Sequence, residues 1–316
     1  MRLLPIYGGL TLLLWVCLIV AGDLPLVALI HAMSVMSTSG ISPVGGLEGA
    51  SSGLPGELLL FAFLMFGVSR LTFTTDTVTT GKIGLVNDPE FRLGLMIALG
   101  VPVLLFLRHW IGASAVATSD DMTMAVRALW GSLFTVLSYL TTTGFESLAW
   151  AEARTWSALP TPGLVLMGLA LVGGGVATTA GGVKLLRVYA LMLHGRRELE
   201  RLVHPSSVGR ASAQSRRLRR RGAFVAWVFF MLFALSLALV TCILAALGVT
   251  FHEALVMAIA TLSTTGPLIS SGADAPIALA PLAPQIKLVL AGAMVLGRLE
   301  TLAIIALLTT DLWRDR

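Results

Sequence analysis

The chain has 316 residues, of which 56% are hydrophobic and only 12% charged, with a formal net charge of +5. A soluble protein carries roughly 25% charged residues, so this composition excludes a chain whose whole surface faces water and points to a bilayer. The positive excess is local, because nine of the 22 basic residues lie between Arg196 and Arg221. That block fits the positive-inside bias of a cytoplasmic loop and lacks the aromatic interleaving of a nucleic-acid surface.

The first apolar run, Leu3 to Ala21, predicts a retained spanning helix, since its length exceeds a signal core and no small-residue cleavage pattern follows. A span needs about 20 apolar residues. Six stretches reach or approach this: 3–22, 57–75, 92–111, 163–193, 222–247 and 285–309. Between them lie 25–37, 124–140 and 252–262, which are too short to span and predict re-entrant helices. Six spans place both termini on one side. Arg2, Lys82, Arg92, the Arg196–Arg221 block, Arg314 and Arg316 share that side, whereas Glu48, Glu57, Asp120, Asp121, Glu146, Glu152 and Asp274 fall opposite, with Arg108 and Arg154 as exceptions. The face carrying both termini is therefore expected to be cytoplasmic. Cys17 and Cys242 sit inside apolar runs and read as small core residues rather than disulfide or metal thiolates.

Each short segment ends in a Thr/Ser-rich turn on glycine: Met36-Ser37-Thr38-Ser39-Gly40-Ile41, Leu140-Thr141-Thr142-Thr143-Gly144-Phe145 and Leu262-Ser263-Thr264-Thr265-Gly266-Pro267. Successive glycines are 104 and 122 residues apart, with the Arg-rich loop absorbing the difference. The repeating unit is helix, half-helix, turn, helix, arranged around an axis rather than stacked as a solenoid. Non-helical backbone at membrane depth is tolerated only where protein buries it or it lines a water-filled cavity. A half-helix followed by an extended turn presents carbonyls and a negative helix end to that axis, which suits a dehydrated cation. One such turn alone would read as an ordinary interhelical turn with capping hydroxyls; three at equivalent places argue against it.

Residues 163–193 are too long for one span, and the centre, from Gly173 to Gly182, holds five glycines in ten residues, which weakens a helix. No Gly-x-x-x-x-Gly-Lys-Ser/Thr pattern is present, so phosphate binding is excluded; a broken helix and close packing through small residues both remain open. Arg298 follows Lys287 by 11 residues, which puts it deep in the last span, where a charge needs water or a partner. A buried acid such as Glu253 is one candidate partner. His31, His252, Asp76 and the Thr72–Thr80 stretch read as capping or cavity-lining groups, and Lys184 and Arg187 are expected toward the cytoplasmic end. No nucleophile with a base partner, paired carboxylates or metal-ligand cluster stands out in the sequence, so an enzyme is not expected.

In His31-Ala32-Met33 leading into Thr38-Ser39-Gly40, Asp88-Pro89-Glu90-Phe91-Arg92, Thr141 to Phe145, Gly173 to Arg187 and Leu296-Gly297-Arg298-Leu299-Glu300, the chain resembles the Trk/Ktr/HKT superfamily of potassium transporters, most closely its bacterial TrkH branch. The resemblance runs over nearly the whole chain. It implies an all-α polytopic membrane protein built of helix, re-entrant pore helix, helix units around a pore, three of the family's four, bounded at 1–91, 92–221 and 222–316. The chain is expected to start at the family's second repeat, as a fragment, a mis-set start or a split gene product. The implied activity is potassium uptake through a filter of backbone carbonyls from Thr38, Ser39, Gly40 and Ile41, from Thr142, Thr143, Gly144 and Phe145, and from Thr264, Thr265, Gly266 and Pro267. Glycine in these turns looks like the potassium-selective members, whereas a serine in the first repeat marks sodium-selective relatives. The segment holding Gly173, Gly174, Gly175, Thr178, Thr179, Gly181 and Gly182 would be an intramembrane gate, with Arg298 beside it raising the barrier for a cation.

The same resemblance implies potassium as the transported ion and no cofactor in this chain. It also implies a homodimer in the bacterial cytoplasmic membrane, the lipid bilayer as surroundings and no nucleic-acid partner. A cytosolic nucleotide-binding regulatory subunit of the TrkA kind is a further implied partner, for which the Arg196–Arg221 loop is either a contact surface or merely a topology signal. The alternative is a non-conducting fragment or assembly subunit. An ion-coupled carrier of another fold would need inverted repeats, and these units run parallel.

Overall fold

The computed structural model describes residues 3–68, 88–112, 121–159, 161–176, 178–204, 222–273 and 275–299, and these fold as helices joined by turns. Helix α1 (Leu3–Val20) is apolar on every side, as a helix in hydrocarbon must be. Leu14 and Leu18, one turn apart, are fully buried in protein, whereas Leu4, Leu12, Leu13 and Val20 face outward. Leu24 is extended and Pro25 opens α2 (Pro25–Ser37); proline suits this position because its φ is preset and the first amides of a helix lack intrahelical partners. Then comes α3 (Gly53–Leu64), prolonged by a 3-10 turn at Met65–Gly67. The Asp23 carboxylate accepts the Ser52 amide at 2.8 Å, tying the α1–α2 corner to the entry of α3.

The middle of the chain forms α4 (Pro89–Gly112), α5 (Asp121–Leu140), α6 (Trp150–Ser157), α7 (Pro162–Val172) and α8 (Leu185–Val203). The last part forms α9 (Ala223–Ala246), α10 (Phe251–Leu262), the single turn α11 (Leu268–Ser271) and α12 (Pro284–Leu299). The apolar stretch 163–193 is broken, as its glycines predict: α7 stops at Val172 and α8 starts at Leu185. The parts of the expected spans at 69–75 and 300–309, and the loop from 205 to 221, lie outside the described residues.

The helix expected over 124–140 is longer than the sequence suggests. That segment is helical for 20 residues, Asp121–Leu140, long enough by itself to cross a bilayer. Polar positions hid this length. Arg127 is carried on the outside by a 3.1 Å ion pair to Glu152, Ser132 Oγ donates to the Leu129 carbonyl, and Thr135 Oγ1 accepts the Ser147 amide, so none of them interrupts the helix. Its second half is surrounded by protein: Phe134, Val136, Leu137, Tyr139 and Leu140 are all 0% exposed. A helix buried in this way is not a lipid-facing span despite its length. The sequence also gave no sign of α6, which carries the chain from the second turn to α7; the pair α6–α7 bends by 115°.

Helices α1 to α3 pack on one another, α5 packs against α4, α6 and α7, and α10 packs against α9 and α12, giving three neighbouring helix clusters. One buried core runs through the first two and reaches Val256 and Ile259 of α10, while Leu244, Ala258, Leu262 and Leu290 centre a second core beneath the third. Lipid tails are as apolar as leucine, so close packing rather than water exclusion holds such helices together. Gly131 shows how close: a Cβ added there would lie 2.4 Å from the Ala149 carbonyl oxygen. Gly131→Val is expected to pry α5 from the start of α6 and lower the melting temperature of the detergent-purified protein by roughly 5 °C, an over-packing penalty. An unchanged melting curve would remove that contact from the account.

Candidate functional site

The three half-helices end in one pattern. Thr38, Thr142 and Thr264 all take left-handed backbone, with φ of 50°, 58° and 57°. Each threonine amide donates to the carbonyl three residues back, at Val35, Tyr139 and Thr261, over 3.1, 3.1 and 3.2 Å. The next amide reaches five residues back: Ser39 to Ser34, Thr143 to Ser138 and Thr265 to Ala260, over 2.9, 2.9 and 2.8 Å. This is the Schellman ending, a position normally taken by glycine. A side-chain-bearing residue there costs about 1–2 kcal/mol, and such strain persists only where the surroundings impose it.

Beyond the threonines the first two turns stay alike. Gly40 and Gly144 have φ of +66° and +86°, and among the described residues no carbonyl of 38–41 or 142–145 accepts a backbone amide. Thr142 to Phe145 are buried, so these carbonyls are poised for another partner. The third turn departs from the expectation of four free carbonyls over Thr264 to Pro267. The Thr265 and Gly266 carbonyls accept the amides of Leu268 and Ile269, each at 3.2 Å, leaving a second lone pair apiece, and the Pro267 carbonyl is taken up by the amides and hydroxyls of Ser270 and Ser271. Pro267, with φ of −62°, is the cause: its ring presets a helical turn and the chain enters α11 at once. The turns nevertheless converge, for a Cβ on Gly40 would lie 2.0 Å from the Thr143 carbonyl and 2.7 Å from the Pro267 ring.

The turns separate two cavities. One, of about 400 Å³, opens on the glycine side and is walled by Gly40, Ile41, Gly144, Phe145, Gly266 and Pro267 among others, with Glu48, Tyr139 and Glu146 in its wall. Burial pushes the Glu146 carboxyl above the usual carboxylate range, opposed by bonds from Ser271 and Tyr139 and by Arg154, and reinforced by Glu48. His31 is fully buried rather than capping or lining a cavity; its ring meets Phe145 edge-on at 5.5 Å and its Nε2 pairs with Ser42 Oγ at 2.9 Å. His252 is exposed at the start of α10, and Asp76 and Thr72–Thr80 lie outside the described residues.

The second cavity, of about 270 Å³, is walled by Thr178 to Gly182, Lys184, Thr264, Gly297 and Arg298. Its floor is the loop between α7 and α8. The ends of that loop are zipped together, as Val183, Lys184 and Leu185 donate to the carbonyls of Leu171, Val172 and Gly174 over 2.9, 2.9 and 3.0 Å. Its body rests against all three strained threonines. The Gly181 amide donates to Thr142 Oγ1 at 2.6 Å, and Thr38 Oγ1 donates to Thr179 Oγ1 at 3.2 Å. A Cβ on Gly181 would lie 1.9 Å from the Ser263 carbonyl and 2.7 Å from Thr264 Oγ1, so only glycine admits this approach. At the other end Gly175 donates to the Gly67 carbonyl at 3.0 Å, and Val176 to Oε1 of the fully buried Glu90 at 2.5 Å.

Arg298 does not pair with Glu253, which accepts the Thr250 hydroxyl instead; its guanidinium donates to the Thr179 carbonyl at 2.7 Å. Lys184 is buried in the cavity wall rather than lying beyond it, with Nζ on the Ala180 carbonyl and 3.5 Å from that of Thr178. Sequence reasoning missed this and Glu90. The available signals were slight: the first cation after the glycine run, and an acid at the start of an apolar helix.

Span-length apolar helices together with half-helices whose carbonyl ends converge between two cavities define a polytopic membrane protein. The TrkH family of cation transport proteins matches residues 58–313, and the chain belongs to that family. It is 30% identical to the Trk system potassium uptake protein TrkH of Vibrio parahaemolyticus over 316 residues, 98% of this chain and 61% of that protein. Against its counterpart in Escherichia coli it is 32% identical over 232 residues, covering 72% and 44%. The crystal structure of the potassium transporter TrkH from Vibrio parahaemolyticus superposes with a TM-score of 0.80 at 27% identity, covering 99% of this chain and 64% of that one. This chain therefore spans about three-fifths of the length of the Vibrio relative. These relatives are transport proteins, not enzymes.

Proposed function

We propose that the chain forms the ion path of a potassium-uptake transporter. The observation that carries this is the threefold Thr/Schellman ending, with open carbonyls in two turns and a third turn closing on them. Three helix C-termini, each equivalent to roughly half a negative charge, point at one place. Carbonyl rings of this kind replace the hydration shell of a potassium ion. The filter is formed by 38–41 and 142–145, with Thr264, Thr265 and Gly266 contributing from the third turn and Pro267 shaping it. The loop 173–182 lies across the path as a gate, and Arg298 holds it shut and repels the ion.

The three units run 1–91, 92–221 and 222–316 in this reading, with both termini of the chain cytoplasmic and the glycine-side cavity facing out of a bacterial cytoplasmic membrane. A second copy of the chain and a cytosolic nucleotide-binding subunit of the TrkA kind complete the assembly. The Vibrio and E. coli relatives, named as parts of a Trk system, support that picture.

The test is rubidium uptake into potassium-starved cells that lack their own uptake systems, expressing the chain with and without the coding sequence before it. Saturable uptake is expected, reduced at least tenfold, about 1.4 kcal/mol, by Gly144→Ser, whose added side chain meets Pro267 and Thr265 at 3.0 Å. No uptake from either version, with the protein confirmed in the membrane, would overturn the reading in favour of a non-conducting assembly subunit.

A further inference from the structure

We propose that Lys184 is a second cationic latch of the loop, acting with Arg298 so that three successive carbonyls, Thr178, Thr179 and Ala180, are held by two positive charges while the loop lies across the ion path. This rests on reading the loop as a gate. Lys184 is 7% exposed, and its ammonium donates to the Ala180 carbonyl and lies 3.5 Å from that of Thr178. Arg298, from α12, takes the carbonyl between them at 2.7 Å. The two cations therefore grip the loop from different elements, one at the root of α8 and one across the cavity.

The backbone supplies the second half of the device. Lys184 has φ of +81°, a region that residues with side chains rarely adopt, and it stands where the loop becomes α8. Strain of this kind needs the surroundings to impose it, and the ammonium bonds are part of what imposes it. Thr38, Thr142 and Thr264 are also in the left-handed region and bear on the same loop. A loop pinned by two buried or cavity-facing charges, against four strained residues, has two discrete arrangements available: latched, or released with the strain relieved. Removing the ammonium shifts the balance to the released arrangement. A guanidinium at 184 keeps the charge and the donors, and restores the latch.

Thr264 reports the state of the loop, because its Oγ1 is buried in contact with Gly181 when the loop is latched. With Cys17 and Cys242, the two cysteines of the chain, replaced by serine, Thr264→Cys is labelled by a small thiol reagent in inside-out membrane vesicles of the full chain, and rubidium uptake is measured alongside. Lys184→Met is expected to speed labelling at least tenfold and to raise the maximal rate of uptake about threefold at unchanged half-saturation. Lys184→Arg is expected to return both to the parent values. Equal labelling rates in the parent and Lys184→Met proteins would overturn the latch. Faster labelling without rubidium uptake in any version would keep the latch and overturn the potassium reading instead.

Discussion

Gly40→Ala is expected to abolish rubidium uptake, by about a hundredfold or more, while the protein still reaches the membrane. Two costs combine at this position. Alanine in the left-handed region loses about 1–2 kcal/mol. The added methyl would also sit 2.0 Å from the Thr143 carbonyl oxygen and 2.7 Å from the Pro267 ring, both in the neighbouring turns, an over-packing that costs typically 1–3 kcal/mol. Relief requires the first turn to move away from the second and third, and the carbonyls that must face an ion move with it. Gly45→Ala separates the two causes, since Gly45 has φ of +82° with nothing within 4 Å of an added Cβ. It carries the backbone penalty without the collision and is expected to keep uptake within twofold. Equal losses in both variants would assign the effect to backbone strain and away from the filter.

Arg298→Gln is expected to raise basal uptake about tenfold. A unit charge some 6 Å from a passing cation opposes it by about 3 kcal/mol at an effective dielectric of 20, and the exposure of Arg298 to the cavity reduces this through solvent screening. The substitution removes that barrier and weakens the hold on the Thr179 carbonyl. Arg298→Lys keeps the charge and is expected to stay near the parent rate. The ratio of potassium to sodium uptake is expected to remain unchanged in both, because Arg298 lines the loop-side cavity, whereas Gly40, Gly144 and Gly266 of the filter turns line the other. Uptake that falls in Arg298→Gln would contradict a barrier role and leave Arg298 as a brace for the loop.

Much of this architecture is written in the chain at low resolution. The lengths of the apolar runs gave the helices, and glycine punctuation placed the three turns and the break between α7 and α8. Physical reasons account for what stayed hidden. Arg127, Ser132 and Thr135 make α5 look short, yet a helix surrounded by protein tolerates polar groups that find partners nearby. Pro267 follows Gly266 just as Phe145 follows Gly144, so the three turns look equivalent in sequence; the proline's fixed φ sends the third one into a helical turn. Lys184 looks like a flanking cation in a linear reading, because only the folded loop brings its ammonium back onto the Ala180 carbonyl. The identical left-handed threonines were also invisible, since Thr before Ser or Thr carries no expectation of that backbone.

The central claim is that the converging turns hold a dehydrated potassium ion, and the most direct measurement is crystallographic. Purified protein crystallised in thallium or rubidium in place of potassium would be examined by anomalous scattering. Peaks are expected on the line between the carbonyls of 38–41 and 142–145, beside Gly266 and on the glycine side of Thr264, and Gly40→Ala is expected to lose them. Peaks confined to the two cavities, with none between the turns, would contradict the account.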